Sequence, residues 1–192
     1  PAASLIFALT LVTSVADLLA PQQGIQARFI LHPHSVVHGR QYYRLFSAGL
    51  IHGDWLHLFF NMFVFYNFSF LLERIIGTGA FAGIYVASLA ISGLPLVIRH
   101  RDNPQYLALG ASGAIAGVLF SFITLYPETS LLVVFFPMPA WLFGVLYLVF
   151  SYVAARQQAD RIAHDAHFWG AIAGLVLTLL LIPGAWALFT AL

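Results

Sequence analysis

The chain contains no cysteine, so it has no disulfide, no thiolate metal site and no cysteine nucleophile. It contains no lysine either; all eight basic residues are arginine. Charged residues make up only 8% of the 192 positions, whereas a soluble domain carries about 25%. That leaves too little polar side chain to cover a surface facing water. A net charge of +1 without a basic patch speaks against nucleic acid as a partner. The zinc-protease pattern H-E-x-x-H is missing. His164 and His167, three apart, share a helix face but have no obvious third ligand, and His52 and His57, five apart, diverge on a continuous helix. No metal or organic cofactor is expected.

What fills the chain instead is apolar. Hydrophobic residues make up 61% of it and the mean hydropathy is +0.89. Six stretches approach the roughly 20 residues a membrane span needs: about Ala2–Leu19, Trp55–Leu72, Ala80–Ile98, Ala111–Tyr126, Pro139–Ala155 and Ala166–Ile182. Unpaired backbone groups are costly in hydrocarbon and none of the stretches alternates, so all six are expected as helices. The breaks fall at Glu73-Arg74 with Gly77 and Gly79, at Arg99–Pro104, at Pro127–Glu128 and at Arg156–Asp165. Pro1–Ala20 lacks a basic leader and is expected as a first span rather than a signal peptide. The chain begins without Met, which points to a missing N-terminal portion. With no linker-like segment, residues 1–192 are expected to form one domain.

Two features depart from a plain bundle. Pro21–Ile51 is a loop of about thirty residues with His32, His34, His38, Arg28, Arg40 and Arg44 among large apolar side chains. Loops this long are uncommon without a function, and its mixed composition suggests short helices in the membrane interface. The fourth stretch is short and opens on Gly110-Ala111-Ser112-Gly113. A helix that starts below the membrane surface leaves a wet pit above its N-terminus, which places Ser112 within reach of water.

Polar side chains inside spans are expensive and often functional. His52, His57 and Asn61 lead into the second span, with His57 and Asn61 four apart on one face. They could equally anchor the long loop. Ser112 stands at a helix start, where serine usually caps, and Gly113 and Gly117 form a close-packing pair. His167 opens the last span with Gly170 and Gly174 on its own face. Small faces on the fourth and sixth spans would let the backbones approach until serine and histidine meet at about 2.6–3.2 Å.

Together these residues fill the roles of acyl transfer. Serine is a weak nucleophile until a base takes its proton, and His167 can be that base. Asn61, His57 and the Ser112 backbone N–H can stabilise the developing oxyanion. Asp165 is two residues from His167 and so points to another face, which favours a dyad over a triad.

At these residues the chain resembles the rhomboid family of intramembrane serine proteases. Tyr43-Arg44 is similar to the aromatic–arginine pair of that family's first loop. His52, His57 and Asn61 match H-x4-H-x3-N, Gly110–Gly113 match G-x-S-G, and Ala166-His167 with Gly170 and Gly174 match A-H-x2-G-x3-G. The four motifs come in the family's order between Tyr42 and Gly174, and Glu73-Arg74 also fits. The resemblance implies an all-α, six-transmembrane-helix rhomboid-like bundle with a long, partly interfacial first loop. It implies nucleophile Ser112, base His167, an oxyanion site from His57, Asn61 and the Ser112 amide, and supporting roles for His52, Arg44 and Gly110. The implied partners are transmembrane protein substrates with helix-destabilising residues, and the lipid bilayer. A bacterial inner membrane is the expected location.

Two departures stand out. Many bacterial members carry a tyrosine four residues after the serine, stacked on the histidine; Ala116 stands there instead, so His167 must be oriented by Phe168, Trp169 or a neighbouring span. The family topology also puts Arg28, Arg40, Arg44, Arg99, Arg101, Arg156 and Arg161 outside the cytoplasm against Arg74 inside, which opposes the positive-inside rule. The expected function is intramembrane endoproteolysis. The alternative is an inactive rhomboid-like escort of client helices, which the retained Ser112 and His167 disfavour. A channel would need polar residues along a continuous path, whereas these gather at one end. The fifth span, with Pro137 and Pro139 at its start, is a candidate substrate gate.

Overall fold

The computed structural model describes residues 1–133, 135–157 and 163–190. Five of its helices are long and apolar enough to cross a membrane: α1 (Ala2–Leu19), α5 (Trp55–Ile76), α6 (Thr78–His100), α8 (Ala140–Gln157) and α9 (His164–Leu181). The sixth, α7 (Ser112–Leu125), has 14 residues and is therefore only about 21 Å long. The hydrocarbon layer is about 30 Å thick, so α7 cannot reach across it. The fourth apolar stretch is short for that reason. Its depth is compensated by enclosure, because every residue from Gly113 to Leu125 is buried.

The bundle closes around α7 through small residues. A methyl group on Gly170 would overlap the Gly113 backbone, and one on Gly174 the Gly117 backbone. On the third side, methyls on Gly113 and Gly117 would overlap the hydroxyls of Ser92 and Ser88 on α6. Three helices thus approach to backbone contact along one seam, where association rests on packing and not on a hydrophobic drive. The close approach expected of the fourth and sixth spans is present, and α6 joins it.

Local chemistry sets the other helix ends. Asp54 caps α5, its carboxylate accepting the His57 N–H at 2.7 Å. The break expected at Glu73-Arg74 with Gly77 and Gly79 falls at Gly77: α5 continues through Glu73 and Arg74 to Ile76, and α6 starts at Thr78. Glu73 turns inward and accepts the N–H groups of Ala2 and Ala3 at 2.8 and 3.1 Å, serving the unpaired donors of the first turn of α1. Gly77, at φ 84°, makes the turn into α6. The fifth span starts at Ala140; Pro137 and Pro139 belong to a hairpin, β1 (Ser130–Val133) with β2 (Phe136–Pro139), between α7 and α8. A short α10 (Ala185–Phe189) follows α9.

The long first connection carries α2 (Ile25–Phe29), α3 (Pro33–His38) and α4 (Arg44–Ser47), with 3-10 turns at Pro21–Gln23 and Ala48–Leu50. Short helices were expected there. The buried Arg44 guanidinium donates to the carbonyls of Ala27 and Ile30 at 3.1 and 2.7 Å, and the Tyr43 hydroxyl donates to Arg28 O at 3.2 Å. Leu31 and Ala108 exchange backbone hydrogen bonds at 2.9 and 3.0 Å, tying the loop to the segment before Ser112. Arg44 spends its charge inside the loop, and Arg99 and Arg101 pair with Asp165 and Asp102. Arg161 and much of the Arg156–Asp165 break lie outside the described residues.

Candidate active site

Gly170 and Gly174 bring the start of α9 against the start of α7. Their contact sets His167 Nε2 and Ser112 Oγ 2.7 Å apart, across 55 residues of chain. Ser112 is the first residue of α7, with Ala111 at the cap position and no side-chain cap bond there. Its hydroxyl therefore faces His167 rather than serving as the cap that serine usually provides at a helix start. At that end of α7 the free N–H groups concentrate positive potential. A hydroxyl and an imidazole nitrogen at this distance can pass a proton between them.

His57 comes to the same place by a backbone exception. Gly110 has φ 110°, a conformation that side chains rarely adopt. A Cβ there would also lie 2.8 Å from His57 Cε1 and 2.9 Å from Nε2. Only glycine lets the imidazole lie against the chain two residues before Ser112. Asn61, one turn along α5, donates through Nδ2 to His57 O at 2.9 Å, and its Oδ1 is buried. A cavity of about 40 Å³ beside Ser112 is bounded by Gly110, Gly113, Ser92 and leucines that include Leu89 and Leu96. It has room for a water molecule, with the Ser92 and Ser112 hydroxyls in a wall otherwise built of leucine, alanine and glycine.

His52 stands outside this contact and holds it from behind. It is fully buried, its Nε2 accepting the Ala111 N–H at 3.4 Å and its Nδ1 lying 2.9 Å from Ser14 Oγ. Ser14 donates in turn to Leu50 O at 2.9 Å. The chain of donors requires a neutral ring with its proton on Nδ1. Burial first, and the neighbouring His57 second, lower its pKa from 6.5 to about 3. His52 thus links α1, the end of the long loop and the residue before Ser112.

Several partners were not legible in the sequence. Tyr147 of α8 lies nearly parallel to His167, with centroids 6.5 Å apart and planes 28° apart, within the range of aromatic pairs. It packs on the same buried cluster as Ala116. Of the three orienting options, the neighbouring span reaches the histidine; Phe168 faces Tyr152 and Trp169 is 41% exposed. The His164 ring meets His167 edge-on at 5.9 Å. Asp165 is bonded to Arg99 at 2.8 Å, away from His167 as its position on the helix required. A tyrosine in an apolar span carries no signal. Ser14 did carry one, since Thr10, Ser14 and Asp17 form a buried polar face on α1.

Comparison with known proteins agrees with the resemblance. The Rhomboid domain family matches residues 39–184. The chain is 26% identical over 138 residues to Rhomboid protein 1, mitochondrial, of Saccharomyces cerevisiae, covering 69% of this chain and 40% of that protein. It is 30% identical over 131 residues to the human Presenilin-associated rhomboid-like protein, mitochondrial, covering 65% and 34%. It is 26% identical over 166 residues to RHOMBOID-like protein 12, mitochondrial, of Arabidopsis thaliana, covering 78% and 49%. The chain therefore spans half or less of each of these relatives. All three names are mitochondrial, so they give no support to the expected bacterial inner membrane. The apolar helices and the family match make the chain an integral membrane protein.

Proposed function

The chain belongs to the rhomboid family, and on that premise we propose that it is an intramembrane serine endopeptidase acting through Ser112 and His167. The 2.7 Å contact between the hydroxyl and the imidazole carries this reading. Its substrates are membrane proteins cut in or near a transmembrane segment whose helix is easily opened, because a carbonyl must leave its helical hydrogen bond before a serine can reach it. Residues 1–192 act as one catalytic unit.

In the first half of the reaction Ser112 Oγ bonds to the scissile carbonyl carbon and its proton passes to His167 Nε2. The oxyanion is held by the Ser112 amide, the Asn61 side chain and His57. Collapse breaks the C–N bond, and the departing amine takes the proton from His167. Water from the cavity then attacks the acyl-enzyme with His167 again as base, releasing the carboxylic acid and restoring Ser112. Arg44, Gly110 and His52 act behind these groups, through the loop, the backbone turn and the Ala111 amide. The near-parallel Tyr147 ring supports a fixed orientation for His167.

Cleavage of a transmembrane test substrate in proteoliposomes tests the reading. Ser112→Ala and His167→Ala should each lower the rate at least about a thousandfold. A Ser112→Ala protein that cuts as fast as the parent would sink it.

A further inference from the structure

The hairpin between α7 and α8 has no part in the chemistry above, yet it exposes the chain's least water-compatible surface. Phe135 is 87% exposed, and Leu132 and Phe136 are each 73% exposed. From Thr129 to Ala155 there is no charged residue. In water, such a strand would be a template for aggregation.

Three observations fix what covers it. The first is depth. α5 and α7 run side by side, with His57 against Gly110 at one end and Phe68 against Phe122 near the other (ring centroids 5.3 Å). Beyond that pair α5 continues eight residues to Ile76, but α7 only three to Leu125. The chain therefore leaves α7 about 7.5 Å before the end of α5, at 1.5 Å per residue. Leu131 then packs back onto the buried cluster of Ala116, Leu119, Phe120 and Ile123. The base of the hairpin is thus held against the bundle, while Leu132, Phe135 and Phe136 stay exposed.

The second is the register. Leu131 pairs with Met138, Leu132 with Pro137 and Ser130 with Pro139, and Ala140 N donates to Thr129 O at 2.9 Å. Even-numbered residues of β2 thus turn their N–H toward β1, and odd-numbered ones turn outward. Both outward positions are proline, which has no N–H. The free edge of β2 offers no N–H to a docking strand, only the outward carbonyls of Pro137 and Pro139. The third is facing. Leu131, Val133, Met138 and Phe136 share one side, half-buried except at Phe136, while Leu132 and Pro137 share the other, exposed side.

We propose that this hairpin is a membrane-interface anchor, with Leu132 and Phe135 inserted among lipid acyl chains at the end of the bundle away from Ser112. The β1 edge, which keeps the outward N–H groups of Ser130 and Leu132, faces the headgroup layer, where those donors meet ester oxygens and water. The anchor pins the junction between α7, which carries Ser112, and α8, which carries Tyr147.

The chain has no cysteine, so single reporters can be placed directly. Phe135→Cys and Leu132→Cys, each labelled with the environment-sensitive dye NBD, are measured in phosphatidylcholine nanodiscs at one protein per disc. Glu128→Cys serves as the water-facing reference. Lipids spin-labelled near the headgroup should quench positions 135 and 132 more than aqueous iodide does, with the reverse at 128. Iodide quenching at 135 and 132 that matches position 128 would overturn the proposal. So would protection from both quenchers, which means that protein covers the hairpin.

Discussion

His52 shows how one side chain couples the fold to pH. Its folded pKa of about 3 lies below its ordinary 6.5, so between those values the unfolded chain binds a proton that the folded one refuses. Stability then falls as pH falls. Above about 6.5 His52 is neutral in both states and contributes no slope; the loss per pH unit is steepest midway between the two values and fades again toward pH 3, where the folded ring itself takes up the proton. Melting in detergent micelles at pH 7.5, 6 and 5 should show this decline. His52→Gln, which cannot titrate, should flatten the curve at some cost in absolute stability; an unchanged slope would assign the decline to other groups. The sequence placed His52 in a motif and gave it a supporting role. Ser14 was marked there only as one of three polar residues, Thr10, Ser14 and Asp17, on one face of α1, and nothing paired it with His52 as the partner that fixes the ring's tautomer.

At the scale of elements, the seam of α6, α7 and α9 decides whether Ser112 and His167 meet at all. Overlap at Gly174 would be with backbone, which cannot swing aside as a side chain can. Gly174→Ala should therefore push α9 from α7, cost about 1–3 kcal/mol and lower proteolysis more than an overall loss of folded protein explains. Gly79→Ala and Gly83→Ala are the controls, since a methyl at either meets nothing within 4 Å. If Gly174→Ala melts and cuts like these controls, the seam does not set the geometry. The glycine periodicity on the fourth and sixth spans announced this contact, because spacing in a helix fixes a face. Ser88 and Ser92 on α6 announced nothing, since serine four apart in a span has several uses. The hairpin was missed because Pro137 and Pro139 join smoothly onto an apolar run, and composition alone does not separate strand from helix in so short a segment. The Glu73 break was misplaced for a related reason: a charge marks a helix end only when water receives it, and Glu73 is received by the first turn of α1.

At the scale of the whole molecule, six apolar stretches and four ordered motifs were enough to read the family. Composition alone required a lipid-embedded chain, and the motifs put the polar residues at one end of the bundle. What the sequence could not convey is enclosure. α7 is the shortest of the six and the most completely surrounded, so the hydroxyl at its start sits at depth beside a small cavity, with His167 of α9 against it and His57 of α5 against Gly110, two residues before it. That arrangement is what the proposed nucleophile would need beyond a helix cap, and it makes Ser112 the place to probe. The most direct measurement is labelling of the bilayer-reconstituted protein by a fluorophosphonate, with the adduct located by mass spectrometry. The expected result is a single adduct on Ser112 whose rate of formation falls at least about a hundredfold in His167→Ala. An adduct on another serine, or a Ser112 rate indifferent to the loss of His167, would contradict the proposal that these two side chains work as one unit.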